Sequence, residues 1–225
     1  MKGSSLAMVA FMIAASVAVP AHSASEMQSA PPSQALQQLL DGNGRFVQRR
    51  PSHRDAIPSD APQHPLAVIL SCSDSRVPPE LVFDQGVGKL FVVRAAGNTY
   101  DHLALESIEY AVEYLSTGLI LVIGHDQCGA VSAAVKSYPN LKVGPMLQNI
   151  YPAVRETRKA AGDQISNAID ANAIFIAKRL SEEPALKKVV EAGRLKILPA
   201  RYSLATGKVR ILENGKKFDL METSQ

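Results

Sequence analysis

The chain has 225 residues, 46% of them hydrophobic, and a net charge of +3 made of scattered charges of both signs. That is enough apolar material for one well-buried domain and argues against two. Aromatics make up only 5%, with no Trp and no basic stripe interleaved among them, so nothing supports a nucleic-acid partner.

Residues 1–25 read as a cleavable secretory signal peptide: Lys2, an apolar run from Leu6 to Val19, then Pro20 and small residues. Cleavage after Ala21, Ser23 or Ser25 fits this layout, and the run is too short to span a bilayer comfortably as an uncleaved anchor. No cysteine stands near the cleavage site to carry a lipid. The expectation is a soluble exported protein, periplasmic in a Gram-negative source, with no stable membrane association after cleavage and one domain over residues 26–225.

A helix is expected from about Gln34, with Leu36, Leu39, Leu40 and Phe46 near helical spacing and "DGNG" (41–44) interrupting or bending its end. The Pro-containing stretch 49–65 reads as an extended arm, either laid over a partner subunit or left as a surface loop. Short β-branched runs follow at 66–70, 89–93, 118–124, 194–200 and 208–212, and the first four are apolar on both faces, as buried strands are. Helical patterns lie between them. In residues 100–116, Leu105, Ile108, Val112 and Leu115 share one stripe; further helices are expected over 163–181 and 184–193. Residues 129–165 carry the loosest pattern. "YSLATGKVRIL" reads as an edge hairpin closed by "ATG". The fold class expected is a single α/β domain: a mostly parallel central sheet of four to five strands, flanked by helices, with an N-terminal helical arm.

The chain has two cysteines, Cys72 in "SCSDSRVPPE" and Cys128 in "GHDQCGA". In an exported protein two cysteines ordinarily suggest one disulfide. Their neighbours point elsewhere. Cys72 follows the run 66–70, and His125 and Cys128 follow the run 118–124; in open parallel sheets ligands bind beyond the carboxyl ends of strands. Were those two strands adjacent, Cys72, His125 and Cys128 would converge as three ligands for Zn²⁺, with the fourth tetrahedral position open as in catalytic sites. A structural zinc site built from paired cysteine knuckles would need more cysteines. With period-two alternation, Asp74 and Arg76 would share a face with Cys72 if the chain stays extended. Asp74 could then close the site as a fourth ligand, or be held back by Arg76, whose planar fork fits a carboxylate.

These residues resemble the β-class carbonic anhydrases, through "CSDSRVPPELVFDQGVGKLFVVRAAGN" (72–98), "ALESIEYAV" (104–112) and "GHDQCGAV" (124–131), and more weakly through 203–212 and the helix at 39–47. The resemblance implies reversible hydration of CO₂ to bicarbonate and a proton by zinc-bound hydroxide. It assigns one Zn²⁺ per chain to Cys72, His125 and Cys128, and a catalytic dyad to Asp74 and Arg76. It also implies that Gly129 binds bicarbonate through its N–H, that Gln63 hydrogen-bonds substrate, and that Phe91 and Tyr110 line an apolar CO₂ pocket formed partly by a neighbouring subunit of a homodimer or homotetramer. Two features depart from the family pattern. Lys89 replaces a frequent Asp, and the lack of Trp leaves incomplete the second bicarbonate pocket of some members, which favours the open-site subtype. Candidate proton-transfer residues are His53, His64 and His102. Alternatives on the same ligands are hydrolysis of carbonyl sulfide or carbon disulfide, or a non-catalytic zinc-bearing scaffold; a metal-free disulfide-bonded domain is the third.

Overall fold

A computed structural model describes residues 30–52, 62–140 and 142–212. The expected signal peptide, His53 and the middle of the Pro-containing arm lie outside the described residues.

Among the described residues, five strands form one sheet in the order β2-β1-β3-β4-β5: β1 (Ala67–Ser71), β2 (Leu90–Arg94), β3 (Leu119–His125), β4 (Lys196–Tyr202) and β5 (Val209–Ile211). The first four are parallel, and β5 pairs antiparallel with β4 through the expected hairpin. Every residue of β1 and β3 is buried. This follows from their uninterrupted Val, Ile and Leu content, which suits strands covered on both faces. By contrast β2 is only half-buried. It is the edge strand, so its apolar sequence does not mean burial on both sides.

The alternation of side chains sorts two cores. Val68, Leu70, Ile120, Val122 and Ile197 face one layer, packed by α3 (His102–Glu113), α7 (Gln164–Glu182) and α8 (Pro184–Glu191). Ala67, Ile69, Leu119, Leu121 and Ile123 face the other, packed by α1 (Pro32–Val47) and the short α2 (Pro79–Val82). The loosely patterned stretch forms α4 (Gly129–Ser137), α5 (Pro145–Gln148) and α6 (Tyr151–Thr157), which build a third cluster beyond the carboxyl ends of the strands.

"DGNG" neither ends nor interrupts α1, which continues to Val47. Gly42 sits where the helix meets the chain after α2, and a Cβ on it would lie 1.8 Å from the carbonyl oxygen of Phe83. Asn43 donates to the carbonyls of Val82 (3.0 Å) and Gly207 (2.8 Å) and accepts from the amide of Val209 (2.8 Å). Residues that usually mark a turn here serve close docking of a helix. The start of the arm is anchored as well: Ser52 donates from its amide and hydroxyl to buried Asp84, which also pairs with Arg45.

Candidate metal centre

Strands β1 and β3 are neighbours, with Ser71 opposite Ile123, so their carboxyl ends lie side by side. The connections from these strands diverge toward β2 and β4. This is the switch point at which open α/β sheets bind ligands. Cys72 follows β1, His125 closes β3, and Cys128 is the N-cap residue of α4. All three are buried, and their ligand atoms lie within 4.8 Å of one another.

The donor set fits a zinc ion. The sulfurs of Cys72 and Cys128 are 4.0 Å apart and not bonded. Two Zn–S bonds of about 2.3 Å at a tetrahedral angle put sulfurs about 3.8 Å apart, whereas a disulfide needs about 2.05 Å. His125 is fully buried and its Nε2 has no hydrogen-bond partner among the described residues. Its other nitrogen, Nδ1, lies 2.9 Å from the carbonyl oxygen of Asp126. A carbonyl only accepts, so Nδ1 carries the proton and Nε2 presents a lone pair toward the sulfurs. An unpartnered buried nitrogen is costly on its own and is accounted for by a cation. The sulfurs say the same. Without an ion they share a proton. The hydrogen bond between them lowers the Cys72 thiol against its burial, with help from the amide of Gly97, while the same bond and burial push Cys128 up. Two adjacent thiolates require a positive charge between them.

Asp74 and Arg76 come together differently from the sequence expectation. The chain does not stay extended after Cys72; it turns, with the amide of Val77 bonded to the carbonyl of Asp74 (3.0 Å). The Asp74 carboxylate closes that turn by accepting the amide of Arg76 (2.9 Å), a local bond typical of Asp. The Arg76 guanidinium adds bonds of 2.9 Å and 2.8 Å to the two carboxylate oxygens. These bonds hold the carboxyl of Asp74 well below its usual range. Its Oδ2 lies 4.0 Å from Nε2 of His125, beside the cluster.

Several contributors were given no role by the sequence pattern. Arg94, at the end of β2, donates to the carbonyls of Cys72 (3.1 Å) and Asp74 (2.7 Å) and so fixes the course of the backbone between them. Gly97, in the 3₁₀ turn Ala96–Asn98, donates its amide to Cys72 Sγ (3.3 Å), and its carbonyl accepts from the buried side chain of Asn172 (2.8 Å). The signals were present but faint: an Arg ending an apolar run, and an Asn on the buried stripe of α7.

Of the remaining expected residues, Gly129 opens α4 directly after Cys128, with open space where a Cβ would stand. Gln63 and His64 are exposed. Phe91 and Tyr110 meet each other, ring centroids 6.4 Å apart, and Tyr110 stacks on Tyr114 at 5.3 Å. This aromatic group lies on the edge strand, on α3 and at its C-cap. His102 is exposed and pairs with Glu106 at 3.1 Å.

A five-stranded, mainly parallel α/β domain with a Cys-His-Cys centre at its switch point defines a class of zinc protein, and comparison narrows it. The family model "Carbonic anhydrase" matches residues 67–209. The carbonic anhydrase of Mycolicibacterium smegmatis is 37% identical over 198 residues, covering 82% of this chain and 95% of the relative. Carbonic anhydrase 2 of Mycobacterium tuberculosis is 36% identical, covering 81% and 93%. Among solved structures, the β-carbonic anhydrase CcaA superposes with a TM-score of 0.60 at 26% identity, over 79% of this chain and 95% of that one. A tetrameric β-carbonic anhydrase of Sordaria macrospora gives 0.60 at 21% identity, over 67% and 82%. The chain belongs to the carbonic anhydrase family, in its β class, whose members are zinc enzymes.

Proposed function

We propose that this chain is an exported zinc carbonic anhydrase that interconverts CO₂ with bicarbonate and a proton. The observation that carries the reading is the buried Cys72–His125–Cys128 cluster, with the unpartnered Nε2 of His125 beside an ionised Asp74. In this reading Cys72, His125 and Cys128 hold the ion. Zinc supplies Lewis acidity there, allowing water to react with CO₂ near neutral pH.

The chain's own residues do the rest. Arg76 keeps Asp74 ionised and fixed in direction, so its carboxylate accepts a hydrogen bond from the reacting water and orients it. A carboxylate has about four lone-pair sites, and the bonds to Arg76 leave one for that purpose. The same bonds favour the arrangement in which Asp74 stands beside the ion over the one in which it binds as a fourth ligand. Gly129 offers an N–H at the positive end of α4 to an oxygen of bicarbonate, and the absence of a side chain leaves room for it. Gln63, Phe91 and Tyr110 would contribute to the substrate pocket across a subunit boundary in a homodimer or homotetramer. The exposed Tyr110 and Tyr114, beside Phe91 of the edge strand, support this, as does the tetrameric Sordaria relative. His64, exposed beside Gln63, is the candidate for proton export.

The test combines metal analysis with stopped-flow CO₂ hydration on the chain lacking residues 1–25. Cys72→Ser and His125→Ala should lose both zinc and turnover. Asp74→Asn should keep zinc and lose turnover by about 100-fold. A wild-type chain without zinc, carrying a Cys72–Cys128 bridge under non-reducing conditions, would overturn the reading.

A further inference from the structure

The metal loop is tied to the rest of the fold through an arginine within the sheet. Arg201 lies on β4 directly opposite Gly124, one residue before His125. Its side chain is only 12% exposed and reaches three groups. Nε and Nη2 approach Asp126 Oδ1 at 2.8 and 2.7 Å. Nη1 bonds the carbonyl of Ser166 (3.1 Å) and Asp170 Oδ1 (2.9 Å) on α7. The second oxygen of Asp170 is held by Arg210 of β5 at 2.8 Å. A largely enclosed arginine with this many partners, none of them the metal ligands themselves, calls for a reason.

Asp126 supplies it. Its carboxylate is held by Arg201, and its amide donates to the carbonyl of Tyr202 (3.1 Å). With both ends held, the carbonyl of Asp126 has a fixed direction, and that carbonyl accepts the Nδ1 proton of His125. The next residue, Gln127, has φ +54°, so the loop turns sharply before reaching Cys128. Partners of this kind fix the tautomer and ring direction of a metal-binding histidine.

We propose that Arg201 is a positioning residue for the metal centre: acting through Asp126, it sets the direction of His125 and the course of the loop to Cys128. This rests on the reading of His125 as a zinc ligand.

The experiment uses the zinc-loaded full chain with Arg201→Met, Asp126→Ala and the double substitution. Zinc release is followed by chelator competition, the absorption bands of the cobalt-substituted protein are recorded, and unfolding is measured separately. Arg201→Met and Asp126→Ala should each release zinc about ten-fold faster. The double variant should release it no faster than Arg201→Met alone, because the two residues act as one device. The cobalt–thiolate bands should shift in all three. Asp126 is partly exposed, so its variant separates folding from positioning. Native zinc release and a native cobalt spectrum in Asp126→Ala, even with a lowered melting temperature, would overturn the proposal. A wild-type chain that binds no zinc would overturn the underlying reading as well.

Discussion

Replacing Gly97 with alanine tests how tightly the turn beside Cys72 is specified. Two costs add. Gly97 has φ +71°, where an L side chain is disfavoured by about 1–2 kcal/mol. The new Cβ would also stand 2.7 Å from Ile150 Cδ1 and 3.2 Å from Ala130 Cβ. Ile150 is fully buried and has little room to yield, and overpacking of this kind costs about 1–3 kcal/mol. The expected loss in a urea titration with excess zinc is therefore about 2–5 kcal/mol. Ile150→Val removes the Cδ1 atom that would clash. Alone it should cost about 0.5–1.5 kcal/mol. In the Gly97→Ala background it should instead recover the overpacking share and leave the backbone share. If the double variant is as unstable as the sum of the single ones, the contact with Ile150 is not the cause and the reasoning fails.

The two glycines of α1 should respond in opposite directions. Gly42→Ala drives a Cβ into the backbone of Phe83 and should cost about 3 kcal/mol, whereas Gly44→Ala meets no atom within 4 Å and should gain about 0.5–1 kcal/mol by helix propensity; thermal melts of both decide it. Burial, and then the 2.7 Å hydrogen bond to Glu183, raise Tyr100 above the ordinary tyrosine range. The unfolded chain releases that proton near pH 10 while the fold retains it, so stability falls as the pH rises past about 10. Tyr100→Phe should flatten this alkaline loss in melts from pH 8 to 12, though not abolish it, because burial also raises Tyr202. Arg94→Met should lower CO₂ turnover by about ten-fold with zinc retained, since it frees the carbonyls of Cys72 and Asp74. Undiminished turnover in this variant would show that the backbone there holds without the arginine.

The sequence by itself determined the parts that depend on local pattern. Five β-branched runs became five strands; for β1 and β3 the reason is that a near-continuous run of Val, Ile and Leu has few other ways to be buried. The spacings C-x-D-x-R and H-x-x-C placed the candidate ligands at two strand ends, and Ile108 and Val112 of the expected stripe marked the buried face of α3. The tertiary structure alone decided which strands are neighbours, and so whether Cys72 meets His125 and Cys128 at all. It also turned the chain after Cys72, joining Asp74 to Arg76 through a closed turn where alternation predicted a shared strand face. It carried α1 through "DGNG", because close approach to Phe83 outweighs the turn preference of those residues. Arg94, Gly97, Asn172 and Arg201 act over separations of 20 to 75 residues. No local spacing encodes such contacts: they arise only when the sheet order brings distant segments to one edge, and the supports of the metal centre are therefore legible in space and silent in sequence.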